Sequence, residues 1–412
     1  MENRKTSYFI LLFMGAHFFH HLLTSLLVPL LPFIRDGFNL SYTQSGVIVS
    51  AFTLSYGIGQ LPSGWIADRV GRKYLLLAGI SGVAITGALI GLIGSYIALV
   101  VFLILMGVLG GGYHPSASPL MSAAVPPRQR GKAVGLHIMG GSSSHFVTPL
   151  AAVLIAGVAG WRGAYLFISV PVFIFGIWFF YVLQKNKIRV VREAASDSTA
   201  SAEENPPPKE THPAGYGEVI LFLFVTAAVG SVIASCIAFF PLFIVDVFGI
   251  NEKTAALFLS LYFLVGMAAA PLSGMAADRF GSRKVFFVVA ACSAPALLLF
   301  AASFHWIMVG ITLIVLAVVS FGRMIVSETF FVTLVPAKNR STVLGIYFFA
   351  SMEASGVLTP LVGRAIDSWG FAASFSLMGL ILLGICVLAG AAYAIISISS
   401  RRAAGKGSKS DV

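Results

Sequence analysis

Three histidines, His17, His20 and His21, stand at i, i+3 and i+4, so a helix through them carries all three rings close to one face. Histidine changes charge near neutral pH, and such a cluster in a cavity can take up a proton, bind an anion when charged, or ligate a metal. Metal fits least, because no carboxylate or thiol nearby in the sequence completes a set with transition-metal spacing; no metal site is expected. The bland alternative has each ring bonded to neighbouring carbonyls. Arg323, in Phe321-Gly322-Arg323-Met324-Ile325, is the second feature. A cation deep in an apolar run costs about 2.5–3.5 kcal/mol, so something must pair with it or solvate it. Facing a water-filled cavity, its planar guanidinium would bind a carboxylate, phosphonate or sulfonate through two parallel hydrogen bonds. The alternative is a structural ion pair with Glu353 or Glu328, although Glu328 sits about 140° round the helix and is poorly placed. Glu353, between Met352 and Ala354, is costly to keep ionised unless paired, so it can load and release a proton, or hold a fixed bond to His145 or His137.

The elements that must position these groups are apolar. The 412 residues are 58% hydrophobic and 10% charged, with mean hydropathy +0.91, too little polar surface to cover a water-soluble globule of this size. Twelve segments approach the roughly 20 residues that span a hydrocarbon core. They fall near 8–34, 45–67, 74–93, 96–124, 133–158, 164–183, 216–244, 254–277, 285–303, 306–334, 341–366 and 371–398. The first has no small-residue cleavage site behind it and is read as a span. If it runs outward, 22 of the 27 Lys and Arg lie on one side, which places both termini in the cytoplasm. That retention bias and attraction to anionic headgroups explain the net charge of +11, so no nucleic-acid partner is expected. Cys236, Cys292 and Cys386 lie singly in apolar runs, with no metal or redox spacing.

The chain repeats itself at an offset of 210 residues. The charged turn Gly64-Trp65-Ile66-Ala67-Asp68-Arg69-Val70-Gly71 returns as Gly274-Met275-Ala276-Ala277-Asp278-Arg279-Phe280-Gly281. Asp36, Phe38 and Leu40 return as Asp246, Phe248 and Ile250, and Val125, Pro126, Arg130 and Gly135 as Val335, Pro336, Arg340 and Gly345. Each copy holds six spans, an even number, so the copies are parallel repeats. The expected domains are 1–183 and 216–400, joined by a flexible polar linker at 184–215 and followed by a tail at 401–412. The offset also pairs Tyr113 with Arg323, which would aim both side chains into one cavity. Tyr113-His114-Pro115 can equally be a proline-broken helix capped locally.

Twelve spans, a six-plus-six parallel repeat, a basic middle loop and paired G-x-x-x-D-R-x-G turns resemble the major facilitator superfamily. Ala16-His17, Tyr113-His114-Pro115 and Gly140-Gly141 with Pro149 look like its fosmidomycin-resistance-type branch, near the organic-anion carriers. The sequence departs from that branch at His20-His21, where an Asn-Asp pair is expected. The resemblance implies a central cavity walled by spans 1, 4, 7 and 10. With the residues read above, the expected substrate contacts are Arg323, Tyr113, His114, His17, His20 and His21, and the expected proton carrier is His21 or Glu353. The resemblance also implies gating by the charged turns, through Asp68, Arg72, Asp278 and Arg283, whose other role is to fix topology by positive charge.

The expected protein is an all-α, twelve-helix secondary transporter of the inner membrane, a monomer that moves a small organic anion by alternating access coupled to protons. A proton-driven exporter of amphipathic drugs is the alternative, and a transporter-like receptor a third. No nucleophile-base pair or phosphate-binding loop is present, so neither an enzyme nor a cofactor is expected, and gradients must supply the energy.

Overall fold

A computed structural model describes residues 2–186, 215–335, 343, 347, 349–350 and 354–407. Its elements are helices throughout: α1 (Glu2–Thr24), α2 (Leu31–Phe38), α3 (Tyr42–Val70), α4 (Arg72–Leu77), a π-helical turn (Ala78–Gly82), α5 (Val83–Leu92), α6 (Tyr96–Gly111) and α7 (Tyr113–Ala124). After a short 3₁₀ turn come α8 (Arg130–Lys185), α9 (Tyr216–Ala238), α10 (Phe240–Phe248), α11 (Glu252–Phe280), α12 (Ser282–Ala301), α13 (Trp306–Leu334) and α14 (Ser355–Gly407). Nine of the described helical stretches are long and apolar enough to cross a membrane. Two of these are double: α8 bends at Gly160 and α14 at Gly370, where the backbone leaves the helical region. The linker at 187–214 and Glu353 lie outside the described residues.

The first span is shorter than the 8–34 expected from the apolar run. It ends at Thr24, and Pro32 sits in the first turn of the separate helix α2, where a missing N–H costs nothing. α3 then starts on a capping box: the Ser41 side chain accepts from the Gln44 N–H at 3.2 Å while the Gln44 side chain accepts from the Ser41 N–H at 3.0 Å.

The repeat is written into the backbone. Among the described residues six carry positive φ: Asn39 and Gly249, Gly71 and Gly281, Gly160 and Gly370, each pair 210 residues apart. Gly160 (φ 69°, ψ 170°) and Gly370 (φ 76°, ψ 172°) sit in a region that a Cβ excludes, and they bend α8 and α14 at equivalent points of the repeat.

The described residues form two compact units. Unit one joins 1–206 with 235–264 and 355–368; unit two joins 207–234, 265–354 and 369–412. Within unit one, α1 lies along α8 so closely that Gly140 presses on the Met14 backbone carbonyl. α3 packs on α6 through Gly107, where an added Cβ would strike Ser55 and the Tyr56 N–H at 2.8 and 2.9 Å. Unit two is centred on Phe222 of α9, stacked on Phe286 of α12 at 4.2 Å and on Phe330 of α13 at 3.9 Å.

Candidate functional site

Unit one gathers six histidines. His17, His20 and His21 come from α1, His114 from α7, and His137 and His145 from α8. Their rings form a column with Tyr113. His137 stacks on His17 at 4.1 Å, and Tyr113 stacks on His20 at 4.2 Å with the planes 8° apart. His114 stands edge-on to His17 at 5.1 Å, and His145 lies 4.6 Å from His21.

Backbone carbonyls fix the tautomers, since a carbonyl can only accept. Nδ1 of His17 donates to the His137 carbonyl at 2.7 Å, Nδ1 of His20 to the Gly79 carbonyl at 2.7 Å, and Nδ1 of His137 to the Phe13 carbonyl at 3.0 Å. Each neutral ring then turns a bare Nε2 the other way. His20 uses its own to accept from the Tyr56 hydroxyl at 2.9 Å. Nε2 of His17, Nε2 of His137 and the Tyr113 hydroxyl are buried with no hydrogen-bond partner among the described residues.

The π-helical turn supplies part of this geometry. Widening the helix at Ala78–Gly82 presents the Gly79 carbonyl to His20, and the missing side chain of Gly79 lets Tyr113 approach, since a Cβ there would lie 3.0 Å from that of Tyr113. Gly141 does the same for His17, where an added Cβ would meet the ring at 2.6 Å.

Unit two holds Arg323. It is 6% exposed on α13, and its Nη1 donates to the carbonyl of Thr226 on α9 at 2.9 Å and also to the Thr226 hydroxyl. That hydroxyl is left to donate to Ser327 at 2.8 Å. The Tyr347 hydroxyl donates to the Met324 carbonyl at 3.0 Å, one residue beyond the arginine. Glu328, the proposed structural partner, is half-buried on the same helix. Thr226 thus fixes one terminal nitrogen of the guanidinium.

The charged turns behave differently in the two copies. Arg72 reaches Asp68 at 3.1 Å and, through its other terminal nitrogen, the Pro115 carbonyl at 3.0 Å, which ties the turn to the helix that carries His114. In unit two Arg283 instead binds Glu218 of α9, at 2.6 and 3.2 Å, while Asp278 is exposed near the end of α11.

A second charged cluster escapes sequence reading. Arg35 of α2 donates to Asp36 at 2.7 Å and, with two nitrogens, to both oxygens of Asp246 at 2.5 and 2.8 Å. The Tyr42 hydroxyl donates to the same Asp246 at 2.8 Å, and Asp367 caps α3 by accepting from the N–H groups of Tyr42 and Thr43 at 2.9 and 2.8 Å. All of these residues belong to unit one, on the face expected to be outer. Desolvation opposes the charge of Arg35, yet its pKa is raised because the Asp246 bonds outweigh it. Asp36 and Asp246 occupy the same repeat position, and that shared position was the one available signal.

The Major Facilitator Superfamily profile matches residues 13–251 and 220–410. Among curated relatives, a probable sulfoacetate transporter of Cupriavidus necator is 28% identical over 61% of this chain and 60% of its own length, so this chain covers less than two thirds of that relative. A hexuronate transporter of Bacillus subtilis is 24% identical over 84% of this chain and 85% of its own. Multidrug resistance protein MdtG of Salmonella paratyphi C is 29% identical over 92% and 93%. Among solved structures, an inward-facing, occupied bacterial homologue of the human lysosomal transporter Spinster superposes with TM-score 0.75 over 95% of this chain and 97% of its own, at 18% identity. Peptide transporter POT in complex with sulfate does so with TM-score 0.73 over 97% and 98%, at 14% identity. Apolar helices in a 210-residue repeat, matched by that profile along nearly their whole length, place the chain in the Major Facilitator Superfamily: it is a multi-pass membrane transporter and not an enzyme.

Proposed function

We propose that this transporter moves a small organic anion of the carboxylate, phosphonate or sulfonate type across the inner membrane by alternating access, driven by the proton gradient. Arg323 carries the reading. It is a permanent cation, buried in α13, and Thr226 fixes one of its terminal nitrogens by both carbonyl and hydroxyl. Sulfoacetate and hexuronate, the solutes in two relatives' names, are both organic anions, and this supports the reading. Both termini lie in the cytoplasm in this reading. Asp246 and Arg35 close the outer side, while Asp68, Arg72, Asp278 and Arg283 act at the cytoplasmic side.

The relative MdtG, similar over nearly the full chain, favours a second reading, export of amphipathic drugs. Purified protein in proteoliposomes, given sulfoacetate, a hexuronate or a lipophilic cationic dye under an imposed pH gradient, separates the two. Anion flux that responds to the gradient and is lost in Arg323→Gln is expected. Dye flux alone, or anion flux retained in full by Arg323→Gln, overturns the assignment.

A further inference from the structure

We infer that His17, His21 and His114 form a binding site for one divalent transition-metal ion in unit one. The nitrogens these three rings offer lie within 4.8 Å of one another. Ring centroids are 4.8 Å apart for His17 and His21, 5.1 Å for His17 and His114, and 5.4 Å for His21 and His114. His17 and His21 stand at i and i+4 on α1, the spacing at which two helical histidines share one metal. Sequence spacing predicted no metal set because the third ring comes from α7, some hundred residues along the chain.

The bonding around the rings says which kind of ligand fits. Nδ1 of His17 is spent on the His137 carbonyl, so Nε2 is a lone pair, and it is buried without a partner in a side chain only 7% exposed. The Thr24 hydroxyl donates to the His20 carbonyl at 3.0 Å, which leaves its oxygen to accept from Nδ1 of His21 at 3.4 Å. His21 therefore also turns Nε2 outward as an acceptor. A buried acceptor with no donor is destabilising, and a cation relieves it. An anion would meet lone pairs where it needs N–H groups.

Imidazole nitrogen selects zinc, nickel, copper or cobalt over alkali and alkaline-earth ions. A carbonyl holding the far nitrogen of His17 is the arrangement that orients metal-bound histidine and raises its basicity. Bonds of about 2.0–2.1 Å in a tetrahedral site put the donor atoms about 3.3 Å apart, so the rings close by ~1.5 Å, within reach of side-chain rotation. Three protein ligands leave a fourth position open, which an anionic oxygen of the transported solute can occupy. That last step rests on the anion reading above; the site itself does not.

The test is a titration of the full-length protein, freed of any histidine tag and without organic anion, with Zn²⁺ by calorimetry and with Co²⁺ by visible absorption. One ion per chain is expected, with the strong visible bands of four-coordinate Co²⁺ and a rise in melting temperature. His21→Gln and His114→Gln should each weaken binding by at least about tenfold, in line with the loss of one ligand contact. His305→Gln, outside the cluster, should bind as the unaltered chain does. A folded protein that binds no Zn²⁺ saturably overturns the site, as does full Zn²⁺ affinity in a folded His21→Gln, His114→Gln double variant. Because no anion is present, failure here leaves the transport reading standing, and loss of anion flux leaves this one standing.

Discussion

Arg35 and Asp246 meet through two parallel hydrogen bonds, although they come from opposite copies of the internal repeat. Both side chains are under 20% exposed, at 17% and 19%, so water screens the pair only in part. A forked guanidinium-carboxylate contact gives direction as well as attraction. Arg35→Ala and Asp246→Asn should each lower the melting temperature, and a double-mutant cycle should return a coupling of about 1 kcal/mol. The exchange Arg35→Asp with Asp246→Arg should recover most of the loss. A coupling of zero would reduce the pair to a surface contact.

Nearby, Gly46 of α3 packs on α14 so tightly that an added Cβ would lie 2.8–2.9 Å from the backbone of Pro360 and Thr359. Backbone cannot swing aside as a side chain can. Gly46→Ala should cost about 1–3 kcal/mol in thermal unfolding and slow transport, whereas Gly135→Ala, with open space around it, should do neither.

Thr226 holds Arg323 with both its carbonyl and its hydroxyl. Thr226→Val keeps the carbonyl contact and the shape but removes the hydroxyl. The expected outcome is a several-fold rise in the half-saturating anion concentration with the maximal flux little changed, against near-complete loss in Arg323→Gln. Equal loss in both would mean that positioning, and not charge, limits transport.

Gly160 and Gly370 offer a symmetric test. Each has a backbone conformation that only glycine adopts comfortably, and neither has an atom within 4 Å of an added Cβ. Alanine at either position therefore adds strain without a clash. Each substitution should lower stability by about 1–3 kcal/mol, by similar amounts in the two copies. A cost at one position only would show that the bends are not equivalent.

Much of this architecture is legible in the sequence because lipid leaves few choices. Apolar run length finds the spans. The 210-residue offset finds the duplication before any backbone angle confirms it. The end of α1 was missed because hydropathy continues through Leu26, Leu27 and Leu30, while the break at Thr24 is a matter of backbone geometry. The site is half legible. His17, His20 and His21 declare themselves by spacing on one helix, and Arg323 by its cost in an apolar run. That His137 and His145 join them depends on α8 lying against α1, and the role of Gly79 on a π-helical turn, which no periodicity of apolar residues reveals. The grip of Arg35 on Asp246 is equally hidden, since two charges on separate loops look alike whether or not they touch.

The paired bends carry a consequence for how such a chain can change its cargo. Both copies retain their corners, at Asn39 and Gly249, Gly71 and Gly281, Gly160 and Gly370. The walls between those corners have gone separate ways: where the first copy has His17, His20, His21 and Tyr113, the second has Ala227, Gly230, Ser231 and Arg323. The corners thus coincide while the residues between them differ: the first copy carries imidazoles where the second carries small side chains, and a phenol where the second carries a guanidinium.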